Sequence, residues 1–289
     1  MSIRDSELII NPDGSIYHLS LLPDEIAETI ITVGDQNRVE AVSQHFDSVD
    51  IIRKHREFVT HTGMKNGHRL SVISTGIGTD NIDIVLNELD ALVNIDFSTR
   101  SIKEKHTPLT LVRVGTSGSV QPDIAVDSLL VSAMAIGFDN LPYFYDNLDF
   151  LDDALSLAFK SHTKWSKAKS EPYGLSADAE LLTAFRGENL AEGITATNVG
   201  FYGPQGRVLR LGLQDSELNE KITSFRYKDH RITNMEMETA GIYAMAQLLG
   251  HRAISLNAIL ANRIDGSFSN QPQKTVDRLI EITLSVLTT

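Results

Sequence analysis

The chain has 289 residues, a formal net charge of -12, 42% hydrophobic residues and no cysteine. This length and apolar content suffice for a sizeable core, and no linker-like tract, charge block or repeat marks a boundary, so we predict one domain over residues 1–289. Without cysteine, disulfides, thiolate metal sites and a thiol nucleophile are excluded. The acidic charge argues against a nucleic-acid partner. No stretch approaches the roughly 20 apolar residues of a membrane span, so we expect a cytoplasmic protein without a membrane partner.

The first predicted strand leads into a glycine turn and a short helix. Residues 29–33 are a β-branched run that ends at Gly34, and a helix is predicted over residues 37–46. Arg38 lies in the first turn of this helix, where a cation is unfavourable against the helix dipole. Arg38 therefore needs a nearby anion, which could be Asp35 or a ligand.

Two basic residues lie near the next strands: His18 precedes them, and Arg56 lies at the junction between two of them. His18 lies in the irregular region 1–27 between apolar neighbours, a position more typical of an ordinary side chain than of a site residue. Arg56 stands at the junction of the strands predicted over residues 49–54 and 57–64. Clusters of charged residues at such junctions are mostly solvated ion pairs.

A glycine-containing bend follows the hairpin predicted at Asn66-Gly67. Gly76-Ile77-Gly78 separates the strand over residues 70–74 from a helix over residues 80–93, an arrangement that resembles a dinucleotide-binding fingerprint. Asn81 occupies the position where that fingerprint requires a third small residue. The pattern is therefore weak evidence for a nicotinamide enzyme.

The stretch from Pro108 to Ser132 is the strongest local signal for a site. It predicts a buried strand over residues 109–114, a turn over residues 115–119 and a second strand over residues 128–132. The free N–H groups of such a turn, with its hydroxyls and the cation at Arg113, suit an anion the size of phosphate. A tight turn whose hydroxyls satisfy their own backbone is an equal alternative.

The second half of the chain contains an unusual loop. Helices are predicted over residues 150–159 and 177–185, and a strand over residues 194–199 ends in Gly-Phe-Tyr-Gly-Pro-Gln-Gly-Arg, residues 200–207. Its amide, guanidinium and aromatic side chains could contact a planar heterocycle with two carbonyls and an N–H. The alternative is a surface turn stiffened by its aromatic residues.

Two carboxylates stand where the last buried helix begins. Residues 232–237 predict a strand, and the almost wholly apolar run 239–249 predicts a helix buried on all sides. The positive end of the helix dipole favours Glu236 and Glu238 at this position. Capping explains one of them, and we expect at least one to accept hydrogen bonds from the hydroxyl groups of a ligand.

The fold class follows from the alternation of strands and helices. A strand over residues 253–260, which precedes Ala261-Asn262-Arg263, and a final helix over residues 275–287 complete the pattern. We predict an α/β fold, a three-layer domain with a mixed central sheet flanked by helices and with functional loops at strand ends.

At this point the chain resembles the nucleoside phosphorylase superfamily, and within it the uridine phosphorylases, over nearly its whole length. Seven motifs in the order typical of that family carry the resemblance: GDQNRVE at 34–40, HREF at 55–58, STGIG at 74–78, VRVGTSGSVQP at 112–122, FYGPQGR at 201–207, MEMETA at 235–240 and ANR at 261–263.

The resemblance assigns residues to three parts of a nucleoside site. Those implied to hold phosphate are Gly34, Arg38, Arg113, Thr116 and, from a neighbouring subunit, Arg56. Those implied to hold ribose are Glu236, Met237, Glu238 and, across the interface, His18. Those implied to hold the base are Phe201, Gln205, Arg207 and Arg263.

The implied reaction is phosphorolysis of uridine, with Arg113, Arg207, Gln205 and Glu238 as the catalytic residues. No side-chain nucleophile, metal or organic cofactor is expected, because phosphate is itself the co-substrate. A monovalent cation between subunits is not assumed, because Asn81 stands where some family members have a serine that helps to hold it. Residues reaching across subunits imply a homo-oligomer, either a dimer or a hexamer built from dimers.

Three other functions stay open. Purine-cleaving relatives place an aspartate after the last core strand, where this chain has Asn262. A hydrolase of the same superfamily would use water and has little need of three phosphate-directed arginines. A non-catalytic nucleoside-binding protein could keep the pocket without the phosphate site.

Overall fold

The β-branched and aliphatic runs of the sequence form a mixed sheet of eleven strands in the computed structural model, which describes residues 2–289. The strands, including a separate short pair, are β1 (Thr29–Val33), β2 (Ser48–His55), β3 (Phe58–Lys65), β4 (His68–Ser74), β5 (Ile95–Asp96), β6 (Ser101–Ile102), β7 (Thr110–Ser119), β8 (Leu129–Gly137), β9 (Tyr173–Ser176), β10 (Ala191–Thr197), β11 (Arg226–Tyr227), β12 (His230–Glu236) and β13 (Arg252–Asn262). The helices are α1 (Gln36–Ser43), α2 (Thr79–Asn94), α3 (Asp153–Thr163), α4 (Ala179–Phe185), α5 (Leu218–Ser224), α6 (Thr239–Leu248) and α7 (Pro272–Leu287).

The sheet combines an open half with a closed half. Its order is β11-β12-β10-β8-β13-β7-β1-β4-β3-β2, the eleventh strand, β9, pairs with β8, and β12 also pairs with β7. β1, β4, β7 and β13 are parallel to their neighbours in this group, whereas β13 is antiparallel to β8. Because of the pairing between β12 and β7, the strands β7, β13, β8, β10 and β12 form a closed ring.

Side chains that alternate along the central strands bury both faces of the sheet. Ile30 packs in a core with the apolar face of α2 and with α6, whereas the adjacent Ile31 packs in a second core with α1 and α7. Leu111 and Val112 divide between the same two cores. This alternation gives helices on both faces of the sheet and confirms the predicted three-layer α/β class.

The predicted turn over residues 115–119 is wrong, because β7 continues to Ser119. β13 lies parallel to β7 along its whole length, and this tertiary pairing holds small residues in a strand that they do not favour by themselves. On its other edge, β7 pairs with β1 as far as Arg113 and with β12 from Gly118. Among the strands of residues 2–289, none pairs with that edge between those two positions, and the candidate site lies at this gap.

The reversal of direction at β12 brings distant residues together. β12 is antiparallel to the end of β7, with Asn234 opposite Ser119 and Met235 opposite Gly118. The chain after β12 therefore returns along β7 toward Arg113. No helix within residues 2–289 combines the length and apolar character needed to cross a membrane.

Candidate active site

Arg113 is the buried centre of the site. Its guanidinium donates from Nη2 to Glu238 Oε2 at 2.6 Å, lies 3.1 Å from Glu236 Oε2, and donates from Nη1 to Asn257 Oδ1 at 3.0 Å. The side chain extends along β7 over Gly115, where an added Cβ atom would lie 1.8 Å from Nη1. Glycine at this position is what allows the guanidinium to reach the gap at the edge of β7.

Glu236 holds the start of α6. Its Oε2 accepts hydrogen bonds from the backbone N–H groups of Glu238 and Thr239, both at 2.9 Å, and its Oε1 accepts from the Thr197 hydroxyl at 2.6 Å. The first-turn amides of a helix have no partners within the helix, so this carboxylate caps α6. Glu236 is thus the carboxylate that capping explains, and its predicted contact with ribose stays a prediction.

Glu238 is the carboxylate that joins Arg113 to the bend at Gly78. Its Oε1 accepts from the backbone N–H of Gly78 at 2.9 Å, while Oε2 binds Arg113. Burial raises the pKa of Glu238 above its ordinary value, and the nearby Glu236 adds to the shift while Arg113 opposes it. Both oxygens of Glu238 bind protein donors, and its predicted contact with sugar hydroxyl groups stays a prediction.

The other predicted phosphate residues line the same gap. Arg38 donates from Nη1 to the carbonyl oxygen of Val114 at 3.4 Å, and burial together with repulsion by Arg113 lowers the pKa of Arg38. Asp35 caps α1 through its own side chain, which accepts from Asn37 N at 2.9 Å. Arg38 forms no salt bridge within residues 2–289, but the charges of Asp35 and Glu238 are near enough to oppose the lowering of its pKa, so Asp35 and a bound anion both stay open as its partner.

Gly34 and Thr116 complete the predicted phosphate group. Gly34 directly follows β1, and a Cβ atom there would be in ordinary contact with the carbonyl oxygen of Gly76, so its protein neighbours do not require glycine. Thr116 is half-buried on β7 within the gap, and its hydroxyl has no hydrogen-bond partner in the described part of the chain. Both positions leave donors available for a ligand.

His18 and Arg56 lie close together, beside Tyr17 and His55. His18 Nδ1 is 2.6 Å from Glu88 Oε1, and the carbonyl oxygen of His18 lies 2.9 Å from His55 Nδ1. Arg56 is exposed, has a positive φ of 54°, and places its guanidinium carbon 5.5 Å from the centre of the Tyr17 ring. Within residues 2–289 it pairs with no carboxylate, so its charge is available to a second chain, but its predicted role there stays a prediction.

The loop Gly200–Arg207, the base loop, folds around Arg207. Arg207 donates from Nη1 to Gln205 Oε1 at 2.5 Å and to the carbonyl oxygen of Phe201 at 2.7 Å, and its guanidinium stacks on the Phe201 ring with 3.8 Å to the ring centre. Gln205 is buried, whereas Phe201 is 51% exposed and can cover a ligand ring. Burial and repulsion by Arg263 lower the pKa of Arg207 to about 10.

Arg263 joins the base loop to β7. Its backbone N–H donates to Ser119 O at 2.8 Å, and its Nη2 donates to Gln205 O at 3.4 Å. A Cβ atom added to Gly118 would lie 3.6 Å from the Arg263 side chain. The residues predicted to hold phosphate therefore meet β7 at Gly115 and those predicted to hold the base meet it at Gly118, about 10 Å apart along the strand. This spacing leaves room for a sugar. Met237, which is half-buried, lies in the chain between the two carboxylates Glu236 and Glu238.

A group that could hold a metal lies where the central strands β7 and β13 begin, at the end of these strands opposite to the candidate site. Asp90, His106 and His251 each offer a ligand atom, all within 4.8 Å of one another. His251 Nδ1 accepts from the backbone N–H of Leu109 at 3.1 Å, so the neutral ring carries its proton on Nε2, 3.3 Å from Asp90 Oδ1. This proton occupies the metal-facing nitrogen, and the group therefore fits a histidine–carboxylate contact better than a metal site.

Sequence reasoning did not assign roles to three residues of the site. Gly78 supplies an N–H to Glu238, Thr197 bridges Glu236 to the backbone N–H of Ala240, and Asn257 binds Arg113. Asn257 had a detectable signal, because a carboxamide in the apolar strand Ile254–Ile259 must find buried partners. The other two residues depend on contacts between segments far apart in the chain.

Comparison with known proteins agrees with this geometry. The model of the phosphorylase superfamily matches residues 28–288. A uridine phosphorylase from Thermococcus kodakarensis is 31% identical over 265 residues, which cover 91% of this chain and 83% of the relative. A purine nucleoside phosphorylase from Geobacillus kaustophilus is 26% identical over 273 residues, which cover 92% and 95%.

A solved structure extends the comparison to the whole fold. A Trypanosoma brucei nucleoside phosphorylase, described as showing uridine phosphorylase activity, superposes with a TM-score of 0.87 at 30% identity and covers 97% of this chain and 99% of its own. The chain belongs to the phosphorylase superfamily. The resemblance found in its motifs is thereby confirmed.

Proposed function

We propose that the chain is a uridine phosphorylase, which cleaves uridine with inorganic phosphate into uracil and ribose 1-phosphate. The observation that carries the proposal is the arrangement along β7. Arg113, with the buried carboxylate of Glu238 bound to it, and Arg38 lie near Val114 and Gly115, and the base loop contacts Arg263 beside Gly118, about 10 Å farther along the strand. The uridine phosphorylases among the relatives support the same substrate.

In the proposed reaction, a phosphate oxygen forms a bond to C1′ while the C1′–N1 bond breaks. The electron pair of that bond leaves with the uracil, and the ribose passes through a state with oxocarbenium character. Arg38 and Arg113 hold and aim the phosphate, and its negative charge stabilises the developing cation. Donors of the base loop stabilise the charge on the departing base, and Glu238 holds the ribose hydroxyl groups.

The environment of Asn262 favours a pyrimidine over a purine. Asn262 is buried and donates from Nδ2 to the carbonyl oxygens of Gln121 and Ile124, both at 3.0 Å, while its Oδ1 accepts from Ile264 N at 2.8 Å. A side chain with all of these partners has no free group with which to protonate a purine. We therefore rank purine phosphorolysis second, although a purine nucleoside phosphorylase is among the relatives.

The proposal includes a homo-oligomer, because Arg56 and His18 are expected to act in a neighbouring site. The exposed, unpaired guanidinium of Arg56 supports this expectation. A cytoplasmic location and independence from metals and organic cofactors are also part of the proposal, as the sequence predicted.

The direct test measures the release of uracil from uridine with and without phosphate. We expect release only with phosphate and formation of ribose 1-phosphate in equal amount. Release that is independent of phosphate would identify a nucleoside hydrolase, and binding without release would identify a binding protein. A panel of uridine, deoxyuridine, thymidine, cytidine, inosine and adenosine then defines the base preference. Faster cleavage of inosine than of uridine would contradict the proposal.

A further inference from the structure

A chain of buried polar side chains runs through the inside of the closed ring of strands. Each of the five strands contributes one member, and the members are Ser117 on β7, Asn257 on β13, Ser132 on β8, Thr195 on β10 and Asn234 on β12. Consecutive members are hydrogen-bonded from Asn257 through Ser132, Thr195 and Asn234 to Ser117, at 3.3, 2.5, 2.8 and 2.9 Å. We call this set the polar belt.

The belt begins at Arg113, and this fixes the orientation of the Asn257 side chain. A guanidinium can only donate, so the atom 3.0 Å from Arg113 Nη1 must be the carboxamide oxygen of Asn257. The two hydrogens on Nδ2 then face the hydroxyl groups of Ser132 at 3.3 Å and Ser255 at 3.4 Å. A flipped amide would point its hydrogens at a cation, so Asn257 has one acceptable orientation.

The donors and acceptors of the polar belt fix one another's hydrogen-bond directions. Ser132, Thr195, Asn234 and Asn257 each have no solvent-exposed surface. The Thr195 hydroxyl must donate to Asn234 Oδ1, which can only accept, and Ser132 must therefore donate to Thr195. The Asn257 amide group thus donates to hydroxyl groups, and the hydrogen bond of Ser132 onward to Thr195 has a fixed direction.

Arg113 needs such an anchor because its other partners are anions. Both carboxylates contact Nη2, and without Asn257 the guanidinium could turn its remaining N–H groups toward them and away from the gap in β7. The Asn257 oxygen holds Nη1 on the opposite side, against Gly115. We propose that Asn257 is a positioning residue, which keeps Arg113 extended toward phosphate. This inference rests on the proposed function.

The test compares three variants at increasing distance from Arg113 along the belt. Asn257→Leu removes the acceptor, Ser132→Ala removes one anchor of the carboxamide, and Thr195→Val is a matched core lesion two links away. We expect the KM for phosphate to rise about tenfold or more in Asn257→Leu, less in Ser132→Ala and under about threefold in Thr195→Val. The KM for uridine should stay within about threefold in all three variants, because the base loop is untouched.

Thermal unfolding and calorimetric titration with inorganic phosphate separate positioning from folding. All three variants should lose stability, but only the variants near Arg113 should bind phosphate more weakly. If Asn257→Leu is insoluble, Asn257→Ser serves the same test, because a serine hydroxyl is too short to reach Arg113. A phosphate KM and Kd within twofold of wild type in the Asn257 variant, or equal increases in all three variants, would overturn the inference. A wild-type protein that binds phosphate but releases no uracil would instead contradict the proposed function alone.

Discussion

At the scale of single residues, the site is defined by an imbalance of buried charge. Arg113 faces two carboxylates, so these three side chains carry a net negative charge before any ligand binds. Arg38 adjoins this cluster, and under the proposed function its charge and that of Arg56 from a second chain offset the carboxylates when phosphate binds. Burial, with a smaller contribution from the neighbouring Glu236, raises the pKa of Glu238, so Glu238 gains a proton more readily than an ordinary glutamate.

The first prediction concerns Glu238 and pH. Its carboxylate must be ionised to accept from sugar hydroxyls and to balance Arg113, and its raised pKa means that it becomes protonated at a higher pH than an ordinary glutamate. We therefore expect kcat/KM to fall on the acid side at a pH above the usual glutamate value of 4.5. The Glu238→Gln variant should be slower and should lose this acid limb. Phosphate ionises identically in both assays, so unchanged acid limbs would contradict the role of Glu238.

The second prediction concerns Arg207. Removal of one preorganised donor to a developing charge typically lowers the rate about 100- to 1,000-fold, so Arg207→Ala should reduce kcat/KM for uridine by that factor. Arg210→Ala is the matched control, because Arg210 lies just beyond the base loop and is exposed. Activity of Arg207→Ala within tenfold of wild type would remove Arg207 from the base site.

At the scale of elements, the hydrophobic periodicity was a good guide to the core. The predicted strand over residues 29–33 and the hairpin at Asn66-Gly67 are confirmed, and the buried helix predicted from residue 239 is α6. Predicted ends of other elements differ by a few residues; for example, the helix predicted over residues 150–159 is α3, which spans Asp153–Thr163. The short elements β9 and α5 were not predicted, because they contain too few periods to be distinguished from loops.

The site was harder to predict than the core, for a physical reason. Motif residues such as Arg113 and Glu238 could be singled out one by one, but their contact depends on the pairing of β12 with the end of β7. The same long-range pairing, together with β13, holds Gly115–Ser119 in a strand although its residues favour a turn. Local propensity contains no information about either partner.

The third prediction tests the hairpin turn between β3 and β4. Asn66 and Gly67 both have positive φ, 50° and 80°, as a type I′ turn requires. Gly67→Ala introduces no clash, so its cost is the backbone conformation alone, about 1 kcal/mol of unfolding free energy. Gly187→Ala is the matched control, since it also meets no atom within 4 Å and has no positive φ. Denaturant unfolding should show a loss only for Gly67→Ala, with uridine cleavage unchanged; equal stabilities would contradict the prediction.

At the scale of the whole molecule, the open question is how many chains make one site. Arg38 and Arg113 belong to the site of their own chain, whereas Arg56 lies on the outer surface beside Tyr17. If Arg56 serves a neighbouring site, two different inactive variants can restore one another. A fully active monomer in sedimentation would exclude such sharing.

The fourth prediction is this complementation. Arg38→Ala damages the site of its own chain, and Arg56→Ala damages the site of the neighbour, so each homodimer should have little activity. A mixed dimer contains one site with both lesions and one intact site. Co-expression in equal amounts should therefore restore about a quarter of wild-type activity. Lack of recovery despite verified mixed dimers would place Arg56 outside the shared site.

Residues of the closed ring of strands and residues of the loop outside it differ in how freely they can change during evolution. Arg113 and the side chains bonded to it, such as Asn257, lie on paired strands of the ring, where almost any replacement disturbs several neighbours at once. The loop that contains Gln205 and Arg207 lies outside those strands and contacts them chiefly through Arg263. Under the proposed function, a descendant of this protein could exchange the loop and bind another base while Arg113 and its partners stay unchanged.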